Sequence, residues 1–158
     1  MKSMQSLNVE GVRDRARTLW TEMLAGKSFP TDEQIISLIA SLQFPTIRDQ
    51  LMADIPGIDE PMNRVLLAQT NSNPHWSRVK WAEQVLLHAY TRSSTRHSAP
   101  ILTAIAFINW WEGRGSKAHQ FLQLALEADP GYHLGRLSEL MICSGSVAMS
   151  CRSPRIPA

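Results

Sequence analysis

Cysteine is scarce: the 158-residue chain has two, Cys143 and Cys151, both near the C-terminus. Their spacing matches no zinc or redox motif, and no histidine stands close enough to complete a local ligand set. A disulfide scaffold is therefore excluded, and free thiols in a reducing compartment are expected. Long apolar runs are missing too. Nothing is long enough to cross a bilayer and Met1 to Leu7 hold no signal-type run, which points to a cytoplasmic protein. Charged residues make up only 19%, below the usual quarter of a globular chain. The net charge of +2 demands no polyanionic partner. Alternating apolar segments joined by Asn-Gly or Asp-Gly do not occur, so no β-hairpin is supported.

What is present is apolar: 44% of the residues, five of them Trp. That suits one globular domain and excludes a wholly disordered chain or a fibre. Charge is unevenly spread. Residues 1–60 hold six basic against nine acidic side chains, and residues 61–158 hold ten against five. An acidic front and a basic back can steer an acidic partner to one side.

Helical periodicity recurs from end to end. Val9, Val12, Ala16, Leu19, Trp20, Met23 and Leu24 step by threes and fours, with Asn8 the expected N-cap and Gly26 the stop. Thr31 to Gln34 read as a capping box, followed by Ile35, Ile36, Leu38, Ile39 and Leu42 as a broad buried face. A third helix is predicted from near Thr46, with Ile47, Leu51, Met52 and Ile55 inward. A fourth carries Met62, Val65 and Leu66. Asn73 and Pro74 should open a fifth, with Trp76, Val79, Ala82, Val85, Leu86, Ala89 and Tyr90 on its inner face. Residues 92–98 are basic, polar and without apolar anchors, the best place for an internal boundary. Ala99 to Trp111 is apolar on nearly all sides and should be the central buried helix. After the turn Gly113-Arg114-Gly115, Ser116 is expected to cap the next helix, and a last one is expected from Tyr132 to Cys143. The fold predicted is all-α, a compact bundle of about seven to eight helices. It forms a single domain over 1–145, with 146–158 as a disordered Ser/Arg/Pro tail.

Two resemblances add to this. Ala106, Gly113, Ala118, Leu122, Ala125 and Pro130 fall at the spacing of a tetratricopeptide helix pair, where small residues let antiparallel helices approach. Asn109 departs from that motif, and no second copy follows. Pro30 to Glu33, Arg48-Asp49, Ala106-Phe107, Gly113 to Gly115 and Leu126 to Tyr132 together resemble the C-terminal half of an actinobacterial family, domain of unknown function 4192. That resemblance runs over roughly residues 19–145. It implies a helical module that follows another domain in longer members, and it brings no activity.

Candidate chemistry is sparse. His75, His88, His97, His119 and His133 include no pair at i, i+4, so no metal site is expected. The acidic pairs Asp32-Glu33, Asp59-Glu60 and Glu127-Asp129 sit at predicted helix ends, a structural placement, and Asp32-Glu33 fits compensation of the helix dipole. Gly113 to Lys117 lacks the spacing and the preceding strand of a phosphate loop. No cofactor and no catalytic group are expected. The function expected is a non-enzymatic interaction module that binds a protein partner or itself, with Trp110, Trp111 and Trp81 as candidate anchors. The alternative is a nucleic-acid accessory role through Arg78, Lys80, Arg92 and Arg96. For that role Trp76 is expected inside, and Trp81, about 140° further round the helix, outside.

Overall fold

A computed structural model of the chain describes residues 2–26, 28–132, 134 and 138, with side chains from residue 10 onward. The described residues are all-helical. Seven α-helices run in the order α1 (Lys2–Ala25), α2 (Asp32–Leu42), α3 (Pro45–Asp54), α4 (Met62–Leu66), α5 (Trp76–Arg92), α6 (Ala99–Trp111) and α7 (Gly115–Ala128), with a 3-10 turn at Thr95–His97. None is long and apolar enough to cross a membrane. The helix expected from Tyr132 to Cys143, the tail 146–158 and both cysteines lie outside the described residues, apart from Tyr132, Leu134 and Ser138.

Helix α6 is the centre. Every residue from Ala99 to Trp111 is buried, as its all-round apolar sequence predicts. It packs along α7 after the short turn Glu112–Arg114, and α5 and α2 cover its other sides. Helix α6 ends in a Schellman turn, with Gly113 N–H on the Trp110 carbonyl and Arg114 N–H on Asn109. Gly113 there has φ of 80°, a left-handed conformation that glycine adopts without strain. Ala106 and Ala118 are fully buried.

Caps set several boundaries differently from the sequence reading. Thr31 and Gln34 do exchange both capping-box hydrogen bonds, at 2.9 and 3.2 Å. Helix α1, however, starts at Lys2, so Asn8 lies within the helix and not at its N-cap position. Helix α5 begins at Trp76, after His75, and excludes Asn73 and Pro74. Helix α7 begins at Gly115, which puts Ser116 inside the first turn. The stretch 92–98 forms the end of α5, the 3-10 turn and the start of α6. Gln43 Nε2 donates to the His97 carbonyl at 3.0 Å and ties that stretch to α2.

Tryptophan side chains join the peripheral helices to the rest. The indole of Trp20 donates to Leu51 at 2.9 Å, and that of Trp111 to Leu66 at 3.2 Å. Both acceptors are carbonyls in the last turn of a helix, which have no intrahelical donor. A further tie joins α3 to the chain beyond α7. Arg48, buried, donates to the Tyr132 hydroxyl at 3.0 Å and pairs with Asp49 at 2.9 Å. Burial pushes the Tyr132 phenol up, and the neighbouring Arg48 charge opposes it. The Arg48-Asp49 pair and the Asp-Pro-Gly-Tyr turn, both singled out in the sequence, thus meet in space.

Candidate functional site

Helix α2 carries more large aliphatic side chains than one face can bury. Its capping box fixes the start of the helix, and with it which residues point inward: Ile35, Leu38 and Leu42 are buried. Ile36, expected inside with them, is 65% exposed. At about 100° per residue it stands about a quarter-turn beyond Ile35, the near edge of the buried stripe. Phe44 follows the helix as an extended residue before Pro45, the backbone that a following proline favours. It is 57% exposed.

Between this outer face and the end of α5 lies a groove of about 470 Å³. Ile36, Ile39, Ala40, Gln43 and Phe44 form one wall, and Arg92 to Ser94 with His97 form the other. Arg92 pairs with Asp32 at the start of α2, and the Gln43–His97 hydrogen bond joins the two walls. From Ile36 to Gln43 the α2 wall runs about 10 Å, or roughly two helical turns. Its lining is mostly apolar on the α2 side and polar on the other, where Arg92, Ser94 and His97 are exposed. A second hollow of about 420 Å³ lies across the same connection, lined by Tyr90, Ser93, Leu102 and Leu124 among others.

The residues nominated from sequence are not brought together. Trp110 and Trp111 are 5% and 2% exposed, so neither ring offers an anchor on the surface of this chain. Both pack on Phe107, with ring centroids 6.3 and 6.2 Å away. Trp76 and Trp81 exchange their expected places. Trp76 is 39% exposed, while Trp81 is partly buried and donates its indole N–H to Met23 at 2.9 Å. Phe29 lies on Trp81 and on His88, at 5.2 and 5.0 Å between ring centroids.

The four cations divide into two groups along α5. Arg78 donates to the Asp54 and Ile55 carbonyls, both at 3.1 Å, and so caps the end of α3. Lys80 stays exposed near that end. Arg92 and Arg96 stand at the opposite end, about 20 Å away along the helix axis, with Arg92 paired to Asp32. They form no single stripe.

Glu60 is a loop clamp rather than a dipole partner. Its carboxylate accepts the Ser72 amide at 3.0 Å and the Asn71 amide at 3.1 and 3.2 Å. Those bonds, Ser72's first, hold it below the usual carboxylate range. The Gly113 to Lys117 segment is the α6–α7 turn and the start of α7. Among the described residues, no three His, Cys, Asp or Glu side chains gather where they would hold a metal.

Ile36, Phe44 and the groove they border escaped the sequence reading. The signal for them is the breadth of the aliphatic face on α2, which exceeds what one side of a helix buries. Compared with known families, residues 2–146 match the model described as Domain of unknown function (DUF4192). The match reaches back through α1, further than the resemblance near residues 19–145. No curated protein and no solved structure matches the chain.

Proposed function

The chain belongs to the DUF4192 family, a domain of unknown function, and for it we propose a non-enzymatic role: an interaction module that receives an amphipathic helix of a partner protein in the groove between α2 and the end of α5. The observation that carries this is the exposure of Ile36 and Phe44, 65% and 57%, on one side of that groove. Large apolar side chains left in water beside a concavity are a common mark of a binding surface. Ile36, Ile39 and Gln43 recur at the i, i+3, i+7 spacing that a second helix seats against. The exposed Arg96 and His97, beside Arg92, favour an acidic flank on that partner helix.

The tetratricopeptide-like reading of α6 and α7 belongs to the same proposal. Their shared face is internal, so the pair serves as the scaffold on which α2 and α5 are set. A nucleic-acid role has less support, because Arg78 is engaged with α3 and Arg92 with Asp32.

Benzoylphenylalanine placed at Phe44, with crosslinking in the native cell and peptide mapping, tests the proposal. The result expected is a crosslink to one partner within a segment of apolar residues at helical spacing, lost when Ile36→Glu is added. Crosslinks to a second copy of the chain, to nucleic acid, or unchanged by Ile36→Glu overturn it.

A further inference from the structure

One polar cluster lies within the most apolar part of the molecule. Asn109, in α6, is 1% exposed. Its Nδ2 donates to Glu83 Oε2 in α5 and to the Ile105 carbonyl, both at 2.8 Å. Those two bonds use both amide hydrogens and fix the amide's orientation, since a flip would set its carbonyl against two acceptors. Asn109 Oδ1 is therefore the acceptor end. Among the described residues no donor reaches it, and the same holds for the buried Glu112 Oε1 one helical turn on. Two buried acceptors without a donor are costly, and a proton on the Glu112 carboxyl turns one of them into a donor.

We propose that Glu112 is carried as a neutral carboxylic acid that donates its proton to Asn109 Oδ1, making the corner where α5, α6 and the start of α7 meet a proton-sensitive latch. The charges around it fit. Burial raises Glu112 above the usual carboxylate range, and the nearby Glu83 carboxylate raises it further. Lys80 from α5, with Arg114 and Lys117 from the start of α7, act the other way. Arg114 is the nearest in contact, 3.6 Å from Glu112 Oε2 and 48% exposed on its side chain, where water screens it. These three cations also oppose a bound metal ion as the alternative bridge between the two oxygens. Loss of the proton would leave Glu112 charged beside Glu83 and Asn109 Oδ1 again without a donor. It would loosen the Schellman turn that starts on Asn109 and Trp110.

A carboxyl whose folded pKa lies above its unfolded value adds stability that is complete below the unfolded pKa, about 4.3 for Glu, and lost as pH rises through the folded one. Glu112→Gln supplies an amide donor to Asn109 at every pH. Thermal melts of the full chain should coincide for wild type and Glu112→Gln near the ordinary glutamate range. Wild type should then fall behind by a few degrees as pH rises. Glu83→Gln keeps the acceptor for Asn109 but removes the charge, and should narrow that gap. A gap independent of pH, or a Glu112→Gln variant less stable throughout, overturns the proposal. So does stabilisation of wild type alone by millimolar magnesium or calcium.

Discussion

The indole N–H of Trp81 donates to the Met23 carbonyl at 2.9 Å, so the last turn of α1 is held by a side chain that the sequence offers as a surface anchor. Trp20 on Leu51 and Trp111 on Leu66 repeat the arrangement. Three of the five tryptophans in this chain thus donate to carbonyls in the last turn of a helix. Their rings bury area while their N–H groups complete the hydrogen bonding of helices α1, α3 and α4.

These three bonds are not equivalent. The Met23 carbonyl also accepts the Gly26 amide at 3.2 Å, whereas the bond from Trp20 to Leu51 is buried. Trp81→Phe should cost about 0.5–1.5 kcal/mol for the hydrogen bond, and Trp20→Phe about 1–3 kcal/mol because a buried acceptor is left unmet. Both variants lose the same ring atoms, so the difference between them in denaturant unfolding reports the carbonyl. Equal losses would show that ring volume dominates.

Arg78 offers a second separation of structure from surface chemistry. Its guanidinium bonds to two carbonyls at the end of α3, bonds strengthened by the donor's charge. Arg78→Ala should destabilise the fold by about 2–3 kcal/mol, and Lys in its place should recover only part, lacking the planar fork. Lys80→Ala and Arg96→Ala, at exposed positions, should stay within about 0.5 kcal/mol of wild type. Chemical denaturation of the four variants side by side checks this.

How far the sequence was legible follows from what periodicity encodes. A stripe at helical spacing gives the side of a helix that faces the core, so Ile35, Leu38, Val79, Val85, Leu86 and all of α6 were placed correctly. It does not say how far a neighbouring helix extends along that side. Trp76 and Tyr90 lie on their stripes yet near the ends of α5, and Val12 lies on its stripe in the middle of α1; each is more than a third exposed. Ile36 failed for another reason, since a helix with five large aliphatics can expose one of them when its layer has only one covered side. The candidate groove was illegible because its second wall, Arg92 to His97, is distant in sequence from α2. Such polar residues read alike whether they line a cleft or cross open surface.

Two helices end in the same turn with different residues at its left-handed position. After α4, Gln69 N–H bonds to Arg64 and Ala68 N–H to Val65, the pattern seen at Gly113 after α6. Ala68 holds φ of 56° there, which costs an L-residue on the order of 1 kcal/mol or more. Gly113→Ala should therefore destabilise by about 1–2 kcal/mol. Ala68→Gly relieves the strain but removes a buried methyl, worth about 0.8 kcal/mol, and should come out near neutral. Thermal melts of the pair give the asymmetry, and equal losses would mean that the left-handed backbone contributes little.

Glu60 holds the loop after α4 through the Asn71 and Ser72 amides, and those bonds lower its pKa. A carboxylate depressed in the folded state adds stability present above its unfolded pKa and lost as pH falls through the folded one. Glu60 lies at the surface, so water weakens the effect and confines it to the loop rather than the whole fold. In wild type the Asn71 and Ser72 amides should keep their protection from hydrogen exchange until pH falls below about 4.3, the ordinary glutamate value. Glu60→Gln keeps an acceptor oxygen without the charge, and should exchange faster at both amides at neutral pH while its melting temperature holds. NMR-detected exchange resolves the two sites. Unchanged protection in Glu60→Gln would mean that the turn geometry, not the carboxylate, closes the loop.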